Sequence, residues 1–279
     1  MRQRTILLTG AAGKIAVHLR PALREVARCL RLVDVRQIRD IAAGETFMRG
    51  DLASPAFAAR AATGVDAIVH LSAASKDASF KALYEANIIA TFNLFEAARQ
   101  FGVERIVFAS TMHVMGFYEH SEAFDEDSPP RPDSHYAVSK IFGEAMAQLY
   151  AEKHGLRVAC LRIAGVTPSE SEAEPGNWVA AEDLCALVRI GLEHPDLRFA
   201  VFHAIADYED APRRASAARR YGFVPRRAQE TYAAFQARAK TWWPSDRIAH
   251  SRLGATFASQ DYSAAPTGAG NSTARNSKR

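Results

Sequence analysis

Short apolar runs alternate with longer segments of helical hydrophobic spacing along roughly the first 165 residues. The short runs predict buried strands, since each is brief, apolar and bounded by small or polar residues. They cover Thr5–Leu8, Leu30–Asp34, Ala67–Leu71, Arg105–Ala109 and Val158–Ile163. Between them, apolar side chains recur at helical spacing, most clearly from Phe80 to Phe101. This alternation predicts an α/β fold, a doubly wound and mostly parallel sheet with helices on both faces.

A glycine-rich turn, Gly10–Gly13, directly follows the first predicted strand, and a helical pattern starts at Lys14. Glycines let the backbone approach a pyrophosphate, and a helix N-terminus offers unpaired N–H groups and a positive dipole end. The glycine spacing differs from that of the plain dinucleotide fingerprint. A simple strand-to-helix turn therefore remains an alternative interpretation of this motif alone. Within the helix, Pro21 predicts a kink or an early end.

An acidic residue ends the second predicted strand. Asp34 lies 24 residues after Gly10, close to the ~20 expected of a carboxylate that binds the adenosine ribose. A carboxylate there repels a 2′-phosphate, so NAD is favoured over NADP, although Arg36 and Arg39 follow closely. Asp51 is a third candidate contact, either for an adenine amino group or as an ordinary helix cap.

Small and polar residues also follow the predicted strands Ala67–Leu71 and Arg105–Ala109, in the segments Ser72–Ser75 and Ser110–His113. Because the carboxyl ends of parallel strands meet at one edge of the sheet, these segments predict a ligand site there. His70, within an apolar strand, is best explained as a hydrogen-bonded core histidine. Asn87 lies near the apolar face of the long helix and needs a partner if it is buried.

Tyr136 and Lys140 are four residues apart, which places them on one face of a helix, one turn from each other. A phenol, with a reference pKa of about 10, is a poor base at neutral pH. A nearby lysine ammonium favours the phenolate and lowers that pKa, so the phenol can exchange a proton with a substrate hydroxyl. The pair alone also fits a solvated helix surface.

Composition narrows the range of functions without deciding among them. The 279-residue chain has a net charge of +4 and no long Lys/Arg block before its C-terminal third, so nucleic-acid binding is not expected. Three widely spaced cysteines fit a reduced cytoplasmic protein, and no metal site is expected. The apolar run after Arg4 is too short for a signal sequence or a membrane span. Residues 263–279 are predicted to form a disordered tail.

Together, these motifs resemble the extended short-chain dehydrogenases/reductases, the NAD-dependent epimerase/dehydratase family, whose core is a Rossmann-type sheet. The resemblance spans roughly residues 4 to 165 and rests on Thr9–Ile15, Asp34, Asp51-Leu52, His70–Ala74, Asn87, Ser110-Thr111, Tyr136 and Lys140. Within the family, several runs look like uronate dehydrogenases, which oxidise the C1 hydroxyl of hexuronates to aldarolactones. These runs are Ala86–Ile89, Ile106–His113, Gly116–Tyr118, Pro132–Tyr136 and Gly254–Phe257.

The resemblance implies a role for each candidate residue. Tyr136 would be the general base, Lys140 would lower its pKa and hold the nicotinamide ribose, and Thr111 would hydrogen-bond the reacting oxygen. The implied NAD-binding residues are Gly10, Ala12, Gly13, Lys14, Ile15, Asp34, Asp51, Leu52, Leu71, Ser72, Ala73, Asn87, Tyr136, Lys140 and Ile163. The implied site for a sugar or sugar acid consists of Ser75, Thr111, Met112, His113, Gly165 and Phe257.

The resemblance also implies how the chain is organised. Residues 1–165 would form the NAD-binding core, and residues 166–262 a small C-terminal substrate lobe with closing elements interleaved with the core. Helices at about 80–101 and 136–153 would pair across a two-fold axis, which gives a homodimer or a higher homo-oligomer. The apolar residues expected at that interface are Phe92, Phe95, Phe142 and Met146.

One departure from the resemblance affects the substrate. Uronate dehydrogenases place an arginine after the strand that corresponds to Val158–Ile163, where it pairs with the substrate carboxylate, but this chain has none between Arg162 and Arg189. It carries Glu170, Glu172 and Glu174 there instead. We therefore expect weak uronate activity or a preference for a neutral sugar, unless another cation compensates. The candidates are His113, Arg131 and the Arg-rich stretch 213–227.

Two other functions are compatible with the sequence. A nucleotide-sugar epimerase or dehydratase shares the core motifs, but the span after Ile163 is short for the larger lobe that it needs. A redox-silent NAD(P)-binding regulator can use the same fold, although such proteins often lack the pair that this chain keeps as Tyr136 and Lys140.

Overall fold

Parallel strands form the centre of the computed structural model, which describes residues 4–75, 78–167, 178–212, 217–226, 228–242 and 245–262. In chain order the strands are β1 (Arg4–Thr9), β2 (Ala27–Asp34), β3 (Glu45–Arg49), β4 (Ala67–His70), β5 (Arg105–Thr111), β6 (Arg157–Ile163), β7 (Gly165–Thr167), β8 (Trp178–Ala180) and β9 (Phe199–Ala204). Seven of them form one parallel sheet in the order β3-β2-β1-β4-β5-β6-β9. β7 pairs with β8 outside this sheet.

Helices cover both faces of the large sheet. They are α1 (Lys14–Val26), α2 (Pro55–Ala62), α3 (Phe80–Leu83), α4 (Ala90–Gln100), α5 (His135–His154), α6 (Ala181–Glu193), α7 (Tyr232–Trp242), α8 (Arg247–Ser251) and α9 (Thr256–Ser259). Ile6 and Leu8 pack with α1 and α6 in one core cluster, whereas Leu7 packs with α2, α4 and α5 in another. Since alternate residues of a strand point to opposite faces, the sheet lies between two helical layers. The predicted doubly wound α/β fold is confirmed.

Local sequence signals set the ends of α5, which carries the candidate catalytic pair. The helix begins after Ser134, whose Oγ accepts a hydrogen bond from Ala137 N at 3.2 Å. It ends at Gly155, whose φ of +72° suits a glycine C-cap. Tyr136 and Lys140 therefore lie in the first two turns of a well-bounded helix.

Two helical predictions differ from the structure in detail. α1 does not end at Pro21 but continues to Val26, because the proline lies on the exposed side while the opposite side packs on the sheet. The helix predicted from Phe80 to Phe101 is interrupted by a π-helical segment, Tyr84–Ile89, between α3 and α4.

The sequence from Trp178 to Glu193 predicts a helix, but Trp178 lies in β8 and the helix, α6, begins only at Ala181. The backbone of Trp178 is in register with Gly165 of β7, and this pairing determines the conformation of a segment whose sequence alone looks helical. The indole Nε1 donates to the hydroxyl of Tyr208 at 2.7 Å, and Tyr208 packs against Phe235 in a small separate apolar cluster. No described helix is long and apolar enough to cross a membrane.

Some sequence predictions fall outside the described residues. These are the acidic positions Glu170, Glu172 and Glu174, the arginines Arg213, Arg214 and Arg227, and the predicted tail at 263–279.

Candidate active site

Gly10 brings the turn after β1 into contact with the loop after β4. Its φ is +65°, and a Cβ there would lie 2.7 Å from Ser72 N and 2.8 Å from the carbonyl carbon of Leu71. Only glycine accommodates both this backbone conformation and this approach. The strand order reverses between β1 and β4, which is where open α/β sheets bind ligands. The predicted residues Leu71, Ser72 and Ala73 therefore line the crevice opposite Gly10.

α1 begins directly after this turn, with Gly13 as its N-cap and no side chain that caps its first N–H groups. Gly13 N donates to Gly10 O at 2.9 Å, which closes the turn. Uncapped N–H groups and the positive end of the helix dipole favour a phosphate. Ala12, Lys14 and Ile15 lie in the same turn, so this group of predicted residues is brought together at one helix end.

Asp34, the last residue of β2, lies beside the turn. Its Oδ2 accepts a hydrogen bond from Ala12 N at 2.9 Å, and its Oδ1 accepts one from Arg36 N at 2.8 Å. Its side chain is nearly buried, and Arg36 Nε lies 3.4 Å from Oδ1. The carboxylate is thus fixed at the edge of the crevice, where a 2′-phosphate would meet its negative charge.

A buried chain of hydrogen bonds that includes His70 supports the floor of the crevice. Thr9 Oγ1 lies 2.7 Å from His70 Nδ1 and accepts from Ser72 N at 3.2 Å, while Thr91 Oγ1 lies 3.2 Å from His70 Nε2. Burial, and secondly the charge of Lys140, lower the pKa of His70 to about 3, so the ring is neutral. The interpretation of His70 as a core histidine is confirmed.

Asn87 connects the crevice to the catalytic helix. It lies in the π-helical segment and is 2% exposed. Its Oδ1 accepts from Ala74 N at 2.8 Å, and its Nδ2 donates to Ala74 O at 3.2 Å and to Ser139 Oγ at 2.8 Å. The loop after β4 and α5 therefore supply the partners that burial of this amide requires.

Three further predicted cofactor residues lie at the same edge of the sheet. Asp51 follows β3, is exposed, and accepts from Ala53 N at 2.9 Å. It is not a helix cap, because Ser54 caps α2. Leu52 is buried, and Ile163 is the last residue of β6.

The candidate catalytic residues meet at the carboxyl end of β5. Thr111 is the last residue of that strand, and its hydroxyl is hydrogen-bonded to Tyr136 on α5. Burial raises the pKa of Tyr136 to about 12 and outweighs the lowering by Thr111, while the charge of Asp133 raises it further. The phenol therefore holds its proton at neutral pH.

Lys140 lies buried one turn after Tyr136. Its Nζ donates to Ala109 O at 2.8 Å and lies 5.8 Å from the centroid of the Tyr136 ring. Burial lowers the pKa of Lys140 to about 8. In this geometry the ammonium does not bring the pKa of Tyr136 below its usual value, because burial of the phenol is the dominant cause.

A buried ion pair lies directly behind these residues, and the sequence analysis missed it. Arg162 of β6 donates to both oxygens of Glu144 on α5, from Nε at 3.0 Å and from Nη2 at 2.9 Å. Ser110 Oγ donates to the same carboxylate at 2.5 Å. Since Glu144 lies four residues after Lys140, the pair fixes that helix face against the end of β5. An arginine inside an apolar strand was the available sequence signal.

His113, Asp133 and Phe257 form a cluster beside Thr111. His113 Nδ1 lies 2.7 Å from Asp133 Oδ2, and the imidazole stacks on the Phe257 ring with centroids 3.7 Å apart. His113 N donates to Thr111 Oγ1 at 3.3 Å, so the cluster adjoins the candidate catalytic hydroxyl. Two of the predicted substrate residues, far apart in sequence, are thus brought together. Asp133 was missed, because nothing in its local sequence indicates that its side chain is buried.

The other predicted substrate residues are more scattered. Ser75 is exposed after β4, and Gly165 is the first residue of β7. The side chain of Met112 is 3% exposed and packs into the core, so we expect any substrate contact there to come from its backbone. Arg131 donates to both carboxylate oxygens of Glu122, each at 3.1 Å, and its charge is therefore already paired.

The fold and the site assign the chain to the dinucleotide-dependent dehydrogenases of the α/β class. The residues present fit NAD, because the uncapped start of α1 suits its pyrophosphate and the Asp34 carboxylate beside that turn suits its ribose. The sequence profile of the NAD dependent epimerase/dehydratase family matches residues 6–176, and the chain belongs to this family.

Relatives and solved structures agree with this assignment. The chain is 35% identical over 231 residues to uronate dehydrogenase of Pseudomonas putida, with 82% of this chain and 86% of the relative aligned. It is 37% identical over 204 residues to the enzyme of Pseudomonas syringae pv. tomato, with 72% and 74% aligned. A tyrosine-to-alanine variant of uronate dehydrogenase from Agrobacterium tumefaciens, complexed with NAD, superposes with a TM-score of 0.81 at 31% identity, covering 92% and 97% of the chains. The chain is therefore an NAD-dependent oxidoreductase of the extended short-chain dehydrogenase/reductase type.

Proposed function

We propose that this NAD-dependent enzyme oxidises the C1 hydroxyl of a hexuronate, or of a closely related sugar, to the corresponding lactone. The main support is the meeting of three side chains at the carboxyl end of β5, those of Thr111, Tyr136 and Lys140. This end of β5 lies at the same edge of the sheet as the crevice at Gly10. The relatives that align with most of the chain at 35–37% identity are uronate dehydrogenases, which supports a sugar acid as the substrate class.

The proposed reaction removes a proton and a hydride from one carbinol group. NAD, when bound, accepts the hydride from C1. The Tyr136 phenolate takes the hydroxyl proton, the electron pair of the broken O–H bond forms the C=O bond, and Thr111 Oγ holds the reacting oxygen. Since the pKa of Tyr136 is about 12, we expect turnover to rise with pH through the alkaline range as the phenolate fraction grows.

The substrate carboxylate needs a cation or a strong donor, and the expected arginine is missing from this chain. Arg131 is paired with Glu122, and Arg162 with Glu144. His113 adjoins Thr111, and its side chain is 26% exposed. We therefore propose that His113 binds the carboxylate of a uronate, or the hydroxyl that a neutral sugar has in place of that carboxylate. A single imidazole is a weaker partner than a bidentate guanidinium, which supports weak uronate binding.

The test compares kcat/KM for galacturonate and glucuronate with that for galactose and glucose, with NAD reduction followed by absorbance. We expect measurable uronate oxidation with a high KM, or a preference for the neutral sugars. Efficient uronate turnover with inert neutral sugars would show that a stronger carboxylate partner exists. Conversion of nucleotide sugars without net NAD reduction would favour the epimerase alternative, and no turnover with any sugar would contradict the proposal.

We also propose that the enzyme self-associates through α4 and α5. Phe92 on α4 is 45% exposed, and Val138 and Leu149, on one face of α5, are 52% and 47% exposed. Phe95, which was expected at this interface, is fully buried in the core and is not available to a partner. Sedimentation should give a dimer or larger species at micromolar concentration, and a Phe92→Glu/Leu149→Glu variant should be monomeric. A monomeric parent protein would contradict the proposal.

We propose that the segments after β6 supply the substrate lobe. Phe257, which stacks on His113, and the apolar cluster around Tyr208 and Phe235 support this division. Because β9 belongs to the main sheet, the lobe and the core would interleave along the chain.

A further inference from the structure

Asp133 is fully buried beside the proposed sugar site and, apart from raising the pKa of Tyr136, has no part in the chemistry derived above. Its side chain is 0% exposed. Its Oδ2 lies 2.7 Å from His113 Nδ1, and its Oδ1 accepts a hydrogen bond from Ser134 Oγ at 2.9 Å. Among the residues that the structure describes, no lysine or arginine forms an ion pair with it. A buried carboxylate needs compensation, and here its one cationisable partner in the described chain is His113.

Two glycines, one before Asp133 in the chain and one near the C-terminus, leave room for this carboxylate. A Cβ at Gly116 would lie 1.9 Å from Asp133 Oδ2, and a Cβ at Gly254 would lie 2.0 Å from the same atom. Gly254 N also donates to Gly116 O at 2.9 Å, which joins the C-terminal segment to the turn after Thr111. The backbone therefore closes around Asp133 from two sides, and no larger residue fits at either glycine.

The contact with Asp133 fixes the hydrogen-bonding state of His113. An ionised carboxylate can only accept, so Nδ1 must be the donor. The other ring nitrogen, Nε2, forms no hydrogen bond with the described part of the chain, and the stacked Phe257 holds the plane of the ring. In the neutral ring Nε2 is then an acceptor for a sugar hydroxyl, and in the protonated ring it is a donor to a carboxylate oxygen.

We propose that Asp133 is a positioning residue that sets sugar specificity by holding His113 with Nδ1 protonated and Nε2 free for the substrate. Asp133 does not touch the sugar itself and acts on sugar binding only through His113, while its charge separately raises the pKa of Tyr136. The inference rests on the proposed function, because it needs His113 to lie at the sugar site. The inference adds Asp133 to the proposed sugar site and explains why glycines stand at positions 116 and 254.

A double-mutant cycle tests whether Asp133 acts through His113. Asp133→Ala is expected to raise KM for the best sugar on the order of tenfold, with a smaller change in kcat and no change in NAD affinity. His113→Ala should raise KM to a similar extent, and the double variant should be no worse than His113→Ala alone. An additive loss in the double variant, or an unchanged KM in Asp133→Ala, would overturn the proposal.

Two further variants guard against a merely structural effect. Asp133→Asn keeps the size of the side chain and an acceptor for Nδ1–H, so its KM should stay within a few-fold of the parent value. Asp125→Asn removes an exposed carboxylate from the same loop, one that is bonded to Ser128, and should leave KM unchanged. An Asp133→Asn variant as impaired as Asp133→Ala, or an equal effect of Asp125→Asn, would count against the role of Asp133.

One readout does not depend on any substrate. Nitrogen NMR of histidine-labelled protein should show His113 protonated at Nδ1 in the parent enzyme and a shift toward the Nε2-protonated form in Asp133→Ala. The same tautomer in both proteins would overturn the inference. If the parent enzyme turns over no sugar, the proposed function fails, while this measurement still decides whether Asp133 holds His113.

Discussion

The two ends of the active-site crevice are built in different ways. At the cofactor end, Gly10, Ala12 and Asp34 come from one strand–turn–helix–strand unit and are joined by short hydrogen bonds to the backbone. At the sugar end, His113, Asp133 and Phe257 come from separate segments that meet only when the chain is folded. Local geometry thus builds the cofactor end, whereas long-range packing builds the proposed sugar end. Under the proposed function, a change at the sugar end should therefore leave NAD binding undisturbed.

The largest effect is expected from a variant that lacks the proposed base but keeps both the cofactor end and the sugar end of the crevice. Tyr136→Phe should lower kcat by ~10²–10⁴-fold, the usual loss of a general base, with little change in affinity for NAD or sugar. Steady-state kinetics and a fluorescence titration with NAD measure the two quantities. Tyr150→Phe, on the same helix but bonded to Glu96, is the matched control and should stay active. Near-normal turnover of Tyr136→Phe would refute the assigned role.

Gly10→Ala should disrupt the backbone of the cofactor end and leave the sugar end unchanged. The left-handed backbone costs an alanine about 1–2 kcal/mol, and the approach to Ser72 N adds to this. We expect the loss in the free energy of NAD binding and the loss in the free energy of unfolding to add up to about 3 kcal/mol. The control is Gly64→Ala, where φ is +69° but a Cβ would meet nothing within 4 Å. Equal losses in the two variants would show that the crevice contact is unimportant.

Lys140→Met tests the point where the two ends meet. The folded-state pKa of Lys140 is about 8, below its ordinary value of 10.5. Burial of the charged lysine therefore lowers the free energy of unfolding by its full amount below pH 8. This cost disappears as the pH rises from 8 to 10.5. At neutral pH the inactive Met variant should therefore be more stable than the parent by about 2 kcal/mol, after allowance for the lost bond to Ala109 O. Denaturant unfolding at neutral pH and near pH 10 should show this advantage shrinking. A less stable Met variant at neutral pH would contradict the prediction.

The smallest effect is expected at the sugar end. Ala255 has a φ of +47° between Gly254 and the helix that carries Phe257, a conformation that strains any residue with a Cβ. Ala255→Gly should therefore stabilise the protein by about 1 kcal/mol, seen as a higher Tm. The control, Ala258→Gly within α9, should lower Tm, because its backbone is ordinary helix. A lower Tm for Ala255→Gly would show that this conformation carries no strain.

The same contrast explains what could be predicted from the sequence. Thr5–Leu8, the Gly10–Gly13 turn and Asp34 were readable because apolar runs, glycines and strand ends act over a few residues. The roles of Tyr136 and Thr111 stay predictions, although the structure brings the two side chains into hydrogen-bond contact.

What could not be predicted depends on distant partners. Trp178 is in a strand only because Gly165 pairs with it. The backbone closes around Asp133 at two glycines, and one of them, Gly254, is far away in sequence. No local pattern of apolar and polar positions encodes either contact, so periodicity could not have revealed them.

The π-helical segment Tyr84–Ile89 has a consequence for how this active site can be altered. A π turn holds one residue more than an α turn, and Asn87 uses it to reach Ala74 and Ser139 together. Deleting a single residue there would restore regular helical bonding with little net rotation of the flanking turns, because the π turn is what absorbs the extra residue. The helix would gain regularity and the amide would lose one of its partners. The number of residues in this segment, and not only the identity of its side chains, is thus a determinant of the geometry of this site.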